Sequence, residues 1–167
     1  STGELRVRGS DLAGPGGFAL QISAGGSGGS VINLQRGGSG AVEPRHVAFD
    51  TSGNLYFGGQ LTGSVDLGDG VLDVGSYRWP FVASYDASGA FRWQWVGDTE
   101  FAEVYDVPRA DVAGLVVADE EAIVLVNHHA APSVIVKLPV SDGVRTEPAT
   151  FLDVETSEPG AVALALN

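Results

Sequence analysis

The chain contains no cysteine and no methionine. Without thiols, disulfide scaffolds, thiolate zinc sites and cysteine nucleophiles are excluded. Positive charge is scarce as well: 9 Lys+Arg stand against 21 Asp+Glu, a formal net charge of −12. Such a surface releases no counterions from a phosphate backbone, so no nucleic acid is expected as a partner. It also disfavours docking on anionic membranes. No apolar run approaches the ~20 residues of a spanning helix, so no membrane insertion is expected. The chain opens on Ser1 with no signal peptide, which reads as a chain processed or excised from something longer.

What is present is a globular composition. The 167 residues are 44% hydrophobic and include 24 Gly and 8 Pro. That is too apolar for a disordered chain and long enough to bury a core.

Apolar residues recur at spacing two. Leu5 and Val7, then Phe18, Leu20 and Ile22, then Leu55 and Phe57, then Phe81, Ala83 and Tyr85 follow this rule. Spacing of two places side chains on one face of a strand. Continuous runs such as Ile123-Val124-Leu125-Val126 predict strands buried on both faces. Turns rich in Gly, Ser, Asp and Pro separate the runs. The fold class expected is all-β, with about twelve short strands. The stretch 98–107 has some helical character but is too short to support a helix.

The strand pattern repeats. His46-Val47-Ala48-Phe49-Asp50 with Asn54-Leu55-Tyr56-Phe57 overlays Leu115-Val116-Val117-Ala118-Asp119 with Ile123-Val124-Leu125-Val126. Pro80-Phe81-Val82-Ala83-Ser84-Tyr85 resembles Pro132-Ser133-Val134-Ile135-Val136-Lys137, with Gly17-Phe18-Ala19-Leu20-Gln21-Ile22 as a third copy. A fourth strand follows each, over 30–35, 90–96 and 144–152. Four antiparallel strands per unit, repeated, predict β-propeller blades. The units expected are 1–40 plus 160–167, then 41–97, then 98–152, as one module over 1–167. The chain so read is three blades offset by one strand, with 161–166 as an inner strand and Leu5–Arg8 as the strand after it.

Asp50-Thr51-Ser52-Gly53-Asn54-Leu55-Tyr56-Phe57-Gly58-Gly59, Leu61-Thr62-Gly63-Ser64-Val65-Asp66-Leu67-Gly68 and Phe81-Val82-Ala83-Ser84-Tyr85-Asp86 resemble bacterial β-propeller repeats of the SBBP type. Ser88-Gly89 and Phe91-Arg92-Trp93 complete the likeness, which covers most of the middle unit and the flanking units loosely. Such repeats recur in secreted proteins and lipoproteins of high-GC bacteria, notably myxobacteria. The resemblance implies a propeller fold and a secreted, surface or periplasmic location. It names no ligand.

Several residues invite a chemical reading. His128-His129 aligns with Gly59-Gln60 and falls on a loop at one mouth, where loops carry sites. His46, beside Arg45 and Glu43, opens an inner strand. Arg45, His46, His128 and His129 are therefore the expected ligand contacts, against the simpler reading of solvated polar side chains. Asp66, Asp69 and Asp73 lie in an acidic, glycine-rich hairpin that offers carboxylates for calcium, against the simpler reading of a capped turn. No other cofactor is expected. Asp50 and Asp119 read as turn aspartates that accept backbone hydrogen bonds. Phe91, Trp93 and Trp95 read as one stripe against a neighbouring unit, with Arg92 and Gln94 facing the other way; a sugar platform is the alternative. Gly25–Gly29 and Gly37–Gly40 read as flexible connectors. No serine sits in a nucleophile elbow, and no carboxylate pair stands out for glycoside hydrolysis.

The function expected is a non-catalytic extracytoplasmic propeller that serves as a binding or assembly scaffold for a protein or glycan. Closure is expected from the remaining blades of a parent protein or by strand exchange with a second copy through Leu5, Val7, Val162, Leu164 and Leu166. The alternatives are a glycan hydrolase or lyase, or a structural subunit of a surface filament.

Overall fold

The computed structural model describes residues 18–22, 29–97, 110–128, 131–145 and 147–151. All the described secondary structure is β. The first two strands, β1 (Phe18–Ile22) and β2 (Gly29–Asn33), form an antiparallel pair. A four-stranded sheet follows, from β3 (Ala41–Phe49), β4 (Leu55–Thr62), β7 (Trp79–Tyr85) and β8 (Phe91–Val96), in that spatial order. A separate hairpin, β5 (Ser64–Asp66) and β6 (Val71–Asp73), is inserted between its second and third strands. The second four-stranded sheet holds β9 (Ala110–Ala118), β10 (Glu121–His128), β11 (Ala131–Pro139) and β12 (Thr150–Phe151) as a meander. Every pairing is antiparallel. No sheet closes on itself among the described residues. The expected strands over Leu5–Arg8 and 161–166, and the stretch 98–107, lie outside the described residues.

Alternation decides how the sheets meet. In the first sheet Tyr56, Val82, Trp93 and Trp95 face one way and pack on Val112, Val124, Val126, Val134, Val136 and Leu138 of the second sheet. Leu55, Phe57, Phe81, Ala83 and Tyr85 face the other way, onto Ile32 of β2, Leu34 just after it, and Val65 and Leu67 of the hairpin. Each large apolar side chain buried in this way contributes about 1.5–3 kcal/mol. The first sheet is thus the middle layer of a stack, which is why β7 is buried along nearly its whole length.

Two neighbouring glycines on β4 set the spacing. A Cβ on Gly59 would stand 2.1 Å from the Glu43 carbonyl oxygen of β3. A Cβ on Gly58 would stand 2.9 Å from Cγ1 of Val112 on β9. One absent side chain lets β3 bulge, between Pro44 and His46, and the other lets the second sheet approach.

The turns share one device. Asp50, Asp66 and Asp86 each use one carboxylate oxygen to accept the N–H groups two and four residues onward, at 2.8–3.2 Å. The expectation for Asp50 holds. The Asp119 turn reverses differently: Asp119 and Glu120 take φ of 48° and 68°, the left-handed pair that joins two strands directly.

Burial pushes the Asp50 pKa up, but hydrogen bonds from Asn54, Tyr56 and Ser52 outweigh it and hold the carboxyl below 3.8. The Asp86 carboxyl is lowered by Ser88 first and then by the Ala90 amide. A depressed carboxyl contributes stability that is complete above its ordinary pKa and lost as pH falls through the folded value. Acid titration followed by tryptophan fluorescence should show stability falling below pH 3.8. Asp50→Asn should flatten that fall, and an unchanged acid limb would contradict the assignment.

Two expectations are corrected. Phe91, Trp93 and Trp95 do not form one stripe. The register skips Arg92 between Ser84↔Trp93 and Tyr85↔Phe91, a bulge. Phe91 therefore turns to the Tyr85 side, with ring centroids 5.8 Å apart, while Arg92 joins Trp93 on the face toward the second sheet. Gly37–Gly40 is not a flexible connector either. Its backbone is bonded to β5 through Asp66 N–H to Gly37 (3.1 Å) and Gly40 N–H to Ser64 (2.6 Å). A Cβ on Gly38 would meet the Ser64 carbonyl oxygen of β5, and one on Gly40 the Thr62 carbonyl oxygen at the end of β4, each at 2.1 Å, so glycine is required by close approach. Residues 25–28 lie outside the described residues.

Candidate functional site

The β3 bulge at Arg45 builds the first of two polar clusters. Arg45 projects from the edge of the first sheet and donates to Asp111 of β9 at 2.9 Å, with Glu43 at 3.7 Å. Glu43 in turn accepts from the Gln60 side-chain amide. His128 ends β10 opposite Ala110, one residue before Asp111. Burial lowers the His128 pKa, and the Asp111 charge works against that. Arg45 thus meets Asp111 directly, and His128 ends the strand beside it. The residue the sequence reading missed is Asp111, since only the stacking of β9 on β3 shows it. His46 follows the bulge half-buried. His129 lies outside the described residues.

The arrangement suits recognition better than bond making. The Arg45 guanidinium and the Asp111 carboxylate are partly exposed, at 45% and 25%. A pair at that exposure contributes about 0–1 kcal/mol to stability, so a ligand can exchange with it cheaply. Paired cationic and anionic groups on strand ends can meet hydroxyls, amides or charges of a polar ligand.

The second cluster lies at the opposite ends of the same strands. Asp50 accepts from the Tyr56 hydroxyl (2.8 Å), and Arg92 donates to that hydroxyl and to Ser84, both at 3.0 Å. Arg92 and the Trp93 indole N–H both donate to the carbonyl of Val140, each at 2.9 Å. Burial first, then the bond to Asp50, pushes the Tyr56 pKa up, with Arg92 opposing. The phenol stays protonated and the carboxylate ionised, so this network ties one sheet to the next. Beside it a cleft of about 360 Å³ opens between the Asp50–Ser52 and Asp119–Glu120 turns, with Val117 and Val140 at its floor.

Asp66, Asp69 and Asp73 do not assemble into a centre. The Asp66 carboxylate is spent on Gly68 and Gly70 of its own turn, and that of Asp73 accepts from Gly75 at 2.9 Å. Asp69 points to solvent from the tip. Among the described residues no three carboxylates or histidines are grouped to hold a metal. Leu5, Val7, Val162, Leu164 and Leu166 lie outside the described residues. No family model, characterised protein or solved structure matches this chain.

Proposed function

We propose that this chain is a β-propeller-type repeat module, extracytoplasmic and bacterial, that acts as a non-catalytic scaffold for binding and assembly. The observation that carries the reading is the stack itself. Two antiparallel four-stranded units of the same strand succession lie face to face, with their first strands β3 and β9 adjacent. A partial unit covers the opposite face of the first. Repeated layers joined by apolar faces are how repeat folds gain stability, and they leave strand ends free to carry sites. The Arg45–Asp111–His128 cluster at one end offers polar contacts for a glycan or a protein surface. The acidic balance supports work in solution away from polyanions.

Arrays of polysaccharides and surface proteins, read for both binding and turnover, test this. Saturable binding without turnover, weakened at least tenfold by Arg45→Ala with the fold intact by circular dichroism, is expected. Turnover of a glycan that disappears in Asp111→Asn would overturn the non-catalytic reading.

A further inference from the structure

The two complete sheets part where their first strands end. A cleft of about 360 Å³ opens there, between the Asp50–Ser52 turn of the first sheet and the Asp119–Glu120 turn of the second. Arg45, Asp111 and His128 do not line it. Its floor is apolar: Val117 and Val140 both pack against the core that the two sheets share.

The carboxylates around the cleft are not equivalent. Asp50 accepts from Ser52, Asn54 and Tyr56, and Arg92 donates to the same Tyr56 hydroxyl, so its charge is balanced. Next to the cleft, Glu121 is matched by Lys137 at 3.1 Å. Asp119 and Glu120 differ from both. They are exposed, and among the described residues no hydrogen bond or ion pair holds either carboxylate. Only the backbone of their turn is engaged, where the Glu120 carbonyl accepts from the Val140 N–H at 2.9 Å. Thr51 and Ser52, also exposed, add hydroxyls from the other turn.

An apolar floor beneath unneutralised carboxylates selects a cation on an aliphatic stem. We propose that the cleft binds the side chain of an arginine projecting from a partner polypeptide. The stem lies on Val117 and Val140, and the guanidinium meets Asp119 and Glu120. Carboxylates only accept hydrogen bonds, and hydroxyls accept as well as donate. The planar guanidinium, with five donors in a fixed fork, serves acceptors from both turns better than the compact ammonium of lysine does. The size suits a side chain rather than an enclosed ligand. At about 360 Å³ the cleft is near the lower end of small-molecule sites, and its rim is exposed. The inference needs only the junction of the two sheets and not the repeat-module reading.

The test titrates blocked pentapeptides, Gly-Ala-X-Ala-Gly with X as arginine, citrulline or lysine, into the full isotope-labelled chain and follows its amide signals by NMR. With arginine, saturable shifts centred on the two turns are expected. Citrulline keeps the shape without the charge and should bind about tenfold more weakly. Lysine should also bind more weakly than arginine. Asp119→Asn and Glu120→Gln should each weaken arginine binding about threefold. Both changes keep the side-chain shape, and asparagine tolerates a left-handed backbone, so the fold is retained. Asp69→Asn removes the same charge at the exposed hairpin tip and should leave binding unchanged. Equal binding of the citrulline peptide, or an equal loss in Asp69→Asn, overturns the site. Lysine binding as tightly as arginine overturns the guanidinium as occupant. Free methylguanidinium that binds as tightly as the arginine peptide overturns the polypeptide as its source.

Discussion

Trp93→Ala is expected to destabilise the chain by about 3–5 kcal/mol, the range for removing a buried tryptophan. Trp93 is 5% exposed and sits where the two complete sheets meet. Its ring lies 5.7 Å from that of Tyr56, and its N–H holds the Val140 carbonyl across the junction. Truncation opens a cavity in the shared core and deprives that carbonyl of one of two donors, leaving Arg92. Urea unfolding followed by circular dichroism measures the loss. Because the ring belongs to the interface between units, we expect a lower midpoint together with a shallower transition as the sheets uncouple. A loss under 1 kcal/mol would mean the sheets do not meet at Trp93.

Gly143→Ala is expected to cost about 2–5 kcal/mol through two separable effects. Gly143 has a φ of 68°, a conformation that strains a residue with a Cβ by about 1–2 kcal/mol. A Cβ there would also stand 2.3 Å from Cε3 of Trp93, inside the ring's own volume. Overpacking of this kind costs about 1–3 kcal/mol. A double-mutant cycle separates the two effects. In the Trp93→Ala background the collision disappears, so Gly143→Ala should cost only the backbone part. Equal costs in both backgrounds would place the turn away from the indole.

These two positions also show what was legible in the sequence. Spacing of two, and the Asp-x-Ser-Gly turns at Asp50 and Asp86, announced the hairpins because both are local effects. The repeat announced that Asp50 and Asp119 end equivalent strands, although their turns use different devices. The bulge at Arg92 was invisible, because a register shift is decided by the partner strand. It moved Phe91 to the opposite face and brought Arg92 into the junction. Gly37–Gly40 looked like a connector because glycine signals both freedom and close approach, and only the carbonyls of Thr62 and Ser64 distinguish the two. Of the candidate site, Arg45 and His128 were legible as unusual side chains in an acidic chain. Asp111 was not, since its meaning comes from lying 2.9 Å from a side chain 66 positions away. The hairpin aspartates left two readings open, because a capped turn and a calcium loop draw on the same residues.

The central claim is that the two four-stranded sheets meet as layers of one stack, with β9 over β3 and β4. Cross-linking of an Arg45→Cys/Asp111→Cys chain with a short bis-maleimide tests it most directly, because these two side chains bond at 2.9 Å across the junction and the chain has no other cysteine. The account predicts an intramolecular link that forms in the folded chain and is lost in urea. Two unlinked cysteines in the folded chain would contradict it.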